Sequence, residues 1–144
     1  SITSIEAEGV ELEAAYAMEN GFYVDLNAHI YDGTSITEAG SRAAWRQGPQ
    51  DTLRFTMGRK FGEEWDVSWE AEFGADYEDE TGATTDDGYN VHNLRATWIP
   101  QRGALVVTHV RFGVENVFDE FYTPRLSTRP ATGRNFKLSI STTF

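Results

Sequence analysis

The chain has 144 residues, no cysteine, 40% hydrophobic and 13% aromatic residues, and a formal charge of -11 from 12 Lys+Arg against 23 Asp+Glu. The acidic balance argues against a nucleic-acid partner. A mean hydropathy of -0.48, with no apolar run approaching the ~20 residues of a transmembrane helix, excludes a helical membrane protein. Strands escape that limit, because only alternate residues of a membrane-crossing strand meet lipid. Lack of cysteine fits an exported bacterial protein. Residues 1–20 carry no basic start followed by an apolar stretch, so any signal peptide is expected to be removed or to lie upstream.

In chain order, Val10, Leu12, Ala14, Tyr16 and Met18 alternate with Gly9, Glu11, Glu13, Ala15 and Ala17, which predicts a strand from about Ile5 to Met18. Glu19-Asn20-Gly21 is a hairpin signal. Phe22, Val24, Leu26, Ala28 and Ile30 then alternate with Tyr23, Asp25, Asn27, His29 and Tyr31 in the returning strand. From Asp32 to Asp51 the alternation stops, and the residues read as a long connection. Leu53, Phe55 and Met57 resume it before a tight turn at Phe61 to Glu64. The clearest strand follows, with Trp65, Val67, Trp69, Ala71, Phe73, Ala75 and Tyr77 on one face and Asp66, Ser68, Glu70, Glu72, Gly74 and Asp76 on the other. Glu78 to Gly88 is an acidic loop, Tyr89 to Trp98 a strand, and Ile99 to Gly103 a short turn. The strand Leu105 to Phe118 keeps Val106, Val110, Phe112, Val114 and Phe118 in phase. In the last, Phe136, Leu138, Ile140, Thr142 and Phe144 share a face. A strand that alternates up to its final residue predicts an end that is paired rather than frayed.

These are about seven strands joined by turns that alternate short and long, the rhythm of an up-and-down outer-membrane barrel. With the short turns on the inner side, Phe61, Trp65, Trp98 and Phe144 form one aromatic belt, and Tyr31, Phe73, Tyr77, Tyr89, Phe118 and Phe121 approach the other. A soluble sandwich would place the same aromatics in a core. It would crowd Trp65, Trp69 and Trp98 together and leave few apolar residues for a second sheet. The membrane reading predicts Val24, Leu26, Val67, Trp69, Phe112 and Ile140 exposed on a convex face, with Arg54 opposite Glu70 or Glu72 and Lys60 near Asp66 on the other.

Gly113-Val-Glu-Asn-Val-Phe-Asp-Glu-Phe-Tyr122, followed by Gly133-Arg-Asn-Phe136 and a strand ending in Phe144, resembles the C-terminus of TonB-dependent outer-membrane receptors. In that family a G-x-x-N-[LV]-F-D-x-x-Y strand, a surface loop and a G-R-x-[FY] strand close the barrel. Gly9-Val-Glu-Leu-Glu-Ala14 resembles a further strand of the family, and Leu126-Ser-Thr-Arg-Pro130 resembles the last surface loop of its haem-type members. The resemblance implies that residues 1–144 are C-terminal strands of a transmembrane β-barrel of about 22 strands. It implies a receptor of the Gram-negative outer membrane that imports haem or a siderophore, with a plug domain, TonB, lipid, lipopolysaccharide and the rest of the barrel as partners. It also implies no catalysis and no resident cofactor. Phe136, Leu138, Ile140 and Phe144 resemble the signal that barrel-assembly machinery reads. A self-contained small barrel and a soluble calycin-like carrier are the competing readings.

The candidate ligand contacts lie in the last loop, where Pro124 and Pro130 flank Tyr122, Arg125 and Arg129. A guanidinium there suits a carboxylate or propionate, with pairing to Asp119 and Glu120 as the alternative. Glu70 and Glu72 share a face but lack an apolar pocket to raise one pKa, so they read as solvated lumenal charges, not general acid and base. His29, His92 and His109 lack metal-ligand spacing. Asp76-Tyr-Glu-Asp-Glu-Thr-Gly82 is acidic, but its glycine falls one place late for a calcium loop and no helices flank it.

Overall fold

The structure is a computed structural model that describes residues 1–44, 48–78, 85–101 and 107–143. It is all-β. The main sheet contains β1 (Ile2–Ala17), β2 (Phe22–Thr37), β3 (Arg42–Ala44), β4 (Thr52–Phe61), β5 (Trp65–Gly74), β8 (Tyr89–Trp98), β9 (Val107–Glu115) and β10 (Asn135–Thr143). Between β5 and β8, the short strands β6 (Tyr77–Glu78) and β7 (Thr85–Asp86) form a separate ribbon. The spatial order is β1-β2-β4-β5-β8-β9-β10, every neighbour antiparallel, with β3 on β2. Consecutive long strands are therefore adjacent, as in an up-and-down barrel wall. The sheet stays open, and β1 and β10 are its edges.

Register keeps the two faces distinct across the sheet. Tyr16, Val24, Met57, Trp69, Leu94, Val114 and Phe136 form one transverse row spanning all seven long strands. Nearer the tight turns, Phe61, Trp65, Trp98, Val110 and Ile140 form another. Among the described residues no second layer covers this apolar face. Val67, Phe112 and Ile140 are exposed as expected, while Val24, Leu26 and Trp69 are half-buried by their neighbours on the same face. The buried hydrophobics among the described residues are Ala71, Tyr89 and Val91, and none is a large side chain wholly removed from solvent. A soluble carrier needs a closed apolar interior, and these strands do not build one.

Several boundaries differ from the pattern in the sequence. β1 begins at Ile2, and β2 runs on to Thr37 instead of yielding to a loop after Tyr31. Residues 32–37 lose alternation yet keep the ladder with β1, because β-branched Thr34, Ile36 and Thr37 suit extended backbone. β3 pairs with the same edge of β2 that β4 uses lower down, so it does not disturb the alternation of turns. β5 stops at Gly74 rather than Tyr77. β9 stops at Glu115, since Asn116 has φ of 51° and turns the chain out of the ladder. Trp45, the acidic residues 79–84, Gly103 to Val106 and Phe144 lie outside the described residues.

The outer aromatic set is also smaller than expected. Phe73, Phe118 and Phe121 are exposed, and Phe118 meets His92 edge-on at 5.1 Å. Tyr31 lies on the polar face, since Ile30 before it is on the apolar one. Tyr89 faces the polar side against Glu72, and Tyr77 lies under Arg125. Tyr89 and Tyr77 have polar partners to reach, and lipid offers none. At the opposite end Trp65 stacks on Trp98 at 5.8 Å, beside Phe61.

Glycine placement shows how closely the polar face is filled. Tyr23 lies across Gly58 of the neighbouring strand to donate to Asp66 Oδ1 at 2.6 Å. A Cβ on Gly58 would run into that ring, whereas one on Gly113 would meet nothing nearer than 3.8 Å. Equilibrium urea unfolding of the folded protein should show Gly58→Ala losing about 1–3 kcal/mol. Gly113→Ala should remain within about 0.5 kcal/mol of the parent. Equal stability of the two variants would show that Tyr23 is not held over Gly58.

Candidate functional site

Period-two alternation sends the charges of β4, β5, β8, β9 and β10, Arg59 excepted, to one face, and antiparallel pairing sets opposite signs side by side. Arg54 contacts Glu72 at 3.1 Å, as its register with Glu72 predicts. Arg95 bridges Glu70 at 3.3 Å and Glu115 at 4.0 Å, and Lys137 meets Glu115 at 3.0 Å. Lys60 sits cross-strand from Asp66, whose carboxylate already accepts the Tyr23 hydroxyl. Asn93 donates to Glu70 at 3.0 Å, and the Tyr89 hydroxyl donates to Glu72 at 3.1 Å. Most of these pairs are part-exposed, so each contributes little net stability. Together they order a polar wall. An open recess of about 390 Å³ lies against it, lined by Arg54, Glu72, Asn93, Arg95, Glu115 and Tyr122.

The histidines are dispersed. His29 lies 3.4 Å from Glu11 on the polar face. His92 turns to the apolar face, where its Nδ1 accepts from Trp69 Nε1 at 3.0 Å and its ring stacks on the indole. His109 is cross-strand from Ser141.

Beyond the wall, at the end away from the tight turns, three connections meet at Arg125. Its side chain is 2% exposed. Its backbone N–H donates to Gln50 Oε1 at 2.9 Å, its Nε to the Gly48 carbonyl and its Nη1 to Asp86. The guanidinium also lies 3.4 Å from the centre of the Tyr77 ring, a cation–π contact in a desolvated position. Gln50 completes the junction by donating to the Ala75 carbonyl at 2.8 Å. Arg125 thus pairs with Asp86 and not with Asp119 or Glu120. Asp119 instead accepts the Arg134 backbone N–H at 2.7 Å.

The G-x-x-N and G-R motifs prove to be the loop's own fastenings. Asn116, 3% exposed, takes the left-handed conformation that asparagine tolerates. Its amide donates to the Glu120 and Thr132 carbonyls, and its oxygen accepts the Glu120 N–H at 2.8 Å. Its own N–H donates to Asn93 at 2.9 Å, so the loop is anchored to β8. Gly133 leaves room for the Asp119 carboxylate, since a Cβ there would lie 2.8 Å from its Oδ1. Arg134 Nε reaches back to the Val117 carbonyl at 3.0 Å.

The three residues selected in the last loop consequently have different surroundings. Tyr122 stacks on Tyr89 at 4.4 Å. Burial, with Glu72 and Glu115 nearby, raises its hydroxyl above the usual tyrosine value, which keeps it neutral. Arg125 is enclosed in the junction, and Arg129 is exposed at the tip, its backbone N–H on Ser127 Oγ at 3.3 Å. Phe136, Leu138 and Ile140 are exposed along β10. Sequence reasoning did not anticipate Gln50, Tyr77 or Asp86 as partners of Arg125. They lie 75, 48 and 39 positions away, and no local pattern links them.

An open antiparallel sheet with one apolar and one charged face, tight turns at one end and long connections at the other is a portion of a β-barrel wall. No protein-family model matches the chain. Over 60 residues, 40% of this chain and 8% of the relative, it is 45% identical to the TonB-dependent heme receptor A of Haemophilus ducreyi. Over 62 residues, 43% of this chain and 9% of the relative, it is 39% identical to the heme/hemopexin utilization protein C of Haemophilus influenzae. The chain therefore contains a TonB-dependent haem-receptor-like region. The matched stretch spans less than a tenth of either relative.

Removing one partner of a buried pair costs about 3–5 kcal/mol. With Asp86 36% exposed, Arg125→Ala should lose about 3 kcal/mol, the low end of that range. Limited proteolysis should then cut the connections around residues 48–50 and 76–88 faster than in the parent. Arg125→Lys should not restore protection, because an ammonium lacks the planar fork that reaches two acceptors while lying on a ring. Full protection in the lysine variant would reduce the junction to a simple charge contact.

Proposed function

We propose that this chain forms part of the barrel wall of a TonB-dependent outer-membrane receptor that takes up haem. The 45% identity to a TonB-dependent heme receptor carries the reading. The sheet supports it independently. Its apolar face is uncovered along all seven long strands, which suits a lipid boundary and would be a liability in water. Its tight turns lie on the periplasmic side and its long connections outside, with Trp65, Trp98 and Phe61 at the inner interface.

The open edges of β1 and β10 present backbone N–H and C=O groups that cost several kcal/mol each in hydrocarbon. The remaining strands of the barrel pair with them, and the plug domain faces the charged wall. Haem, bound elsewhere on the receptor, meets the outer loops during uptake, and TonB acts through the plug. The chain has no catalytic step in this reading. Phe136, Leu138 and Ile140, with Phe144, serve as the signal for barrel assembly.

Two measurements test the proposal on the full-length receptor. Deleting its gene should abolish growth on haem as the sole iron source while leaving growth on free iron salts intact. Unaltered growth on haem would overturn the ligand assignment. Val67→Arg, on the apolar face, should cost about 2–4 kcal/mol and reduce outer-membrane levels. Ala15→Arg, exposed on the wet face of β1 and opposite Asp25, should leave them unchanged. Equal levels of the two variants would contradict the lipid boundary.

A further inference from the structure

Among the described residues, Arg59 is a cation that the membrane reading leaves unexplained. Arg59 belongs to the apolar face, in a transverse row with Phe22, Val67, Ala96, Phe112 and Leu138. Its guanidinium lies 4.9 Å from the centre of the Phe22 ring and 4.8 Å from that of Phe61. Phe61 is two residues nearer the tight turns, so the side chain leans towards the inner interface, as a snorkelling arginine does. The side chain is half-buried, and its Nε is buried with no hydrogen-bond partner. Among the described residues Arg59 forms no ion pair, although Glu19, Glu63 and Glu64 stand in the neighbouring turns.

An arginine facing hydrocarbon is costly unless an anion answers it. Two aromatic rings fix its position without supplying an acceptor. The same row also borders an apolar groove of about 510 Å³, where small Ala96 leaves space among Val67, Leu94, Phe112, Phe136 and Leu138. Neighbouring strands are about 4.8 Å apart, so the groove begins within two strand spacings of Arg59. It runs from Val67 and Ala96 towards Leu94 and Val114, away from the turns and into the hydrocarbon.

We propose that Arg59, held between Phe22 and Phe61, binds the phosphate of an anionic phospholipid of the inner leaflet, with one acyl chain of that lipid in the groove beside Ala96. This rests on the membrane reading above. The Arg59 fork provides two parallel N–H donors for phosphate oxygens. The turn end selects a phospholipid over lipid A, whose phosphates lie in the opposite leaflet. A net negative headgroup is favoured, because the ammonium of a zwitterionic lipid is repelled by the guanidinium.

The test uses the full-length receptor, extracted from membranes in a mild non-ionic detergent and examined by native mass spectrometry with added phosphatidylglycerol, phosphatidylethanolamine or lipid A. Heat-modifiable gel mobility confirms that each variant is folded. The parent should retain phosphatidylglycerol. Arg59→Gln should bind it at least about tenfold more weakly, as expected for a lost charge-assisted contact. Its binding of phosphatidylethanolamine should change less than about twofold. Ala96→Phe, which fills the groove and leaves Arg59 in place, should also weaken retention. Folded Arg59→Gln protein retaining phosphatidylglycerol as the parent does would overturn the site while leaving the membrane reading intact. Arg59-dependent retention of lipid A alone would overturn the choice of leaflet. Recovery of the receptor without detergent would overturn both the membrane reading and the site.

Discussion

The antiparallel ladder, kept in phase from β1 to β10, is the constraint on which the other features depend. A slip of one residue in any pair would exchange the faces of every strand beyond it. The row from Tyr16 to Phe136 stays apolar because the slip never occurs. The one irregularity in β1 lies between Ile2 and Ser4, at the far end of the outer hairpin. Arg54, Arg95 and Lys137 are consequently delivered to the side that holds their carboxylates, and this pairing follows from register rather than long-range folding.

The two ends of the sheet are held by different means. At the tight-turn end, backbone bonds between neighbouring strands suffice: the Gly21 carbonyl accepts the Lys60 N–H at 2.9 Å, and the Glu64 carbonyl accepts the Ile99 N–H at 2.7 Å. At the other end the connections are too long for backbone pairing alone to order them. Side chains replace it. Asn116 closes the last loop on itself, and Gln50 and Arg125 tie that loop to its neighbours. Asp51 adds a further tie by accepting the Tyr31 N–H at 2.8 Å, where β2 leaves β4 and continues outward.

What the sequence made legible follows from this division. Strands with one apolar and one charged face declare themselves by alternation, so β5 and the ladder partners of Arg54 were readable from residues alone. The outer half of β2 was not, because Asp32 to Thr37 is wet on both faces and has no contrast for alternation to reveal. Residue type and distance from the turns point Tyr31 and Tyr89 to an aromatic belt, although their strand phase puts them on the polar face. The motif residues Asn116, Asp119, Gly133 and Arg134 were visible as a pattern. Their purpose required coordinates, since it consists of left-handed backbone and contacts across the loop.

The junction also ranks the arginines of the last loop. Arg125 already has a carboxylate, a carbonyl and an aromatic ring around it, and its side chain is nearly inaccessible. An incoming anion would have to displace Asp86 and release three connections, at a cost a single new ion pair does not offset. Arg129 has no such commitment among the described residues: its backbone is set by Ser127, and its side chain is exposed beside Pro130. Of the two, Arg129 is the guanidinium open to solvent, at a tip whose shape Arg125 and Asn116 fix from beneath. Proximity in the sequence suggested that the two guanidiniums act together. Burial separates them, making one a support for the loop and leaving the other available to whatever approaches it.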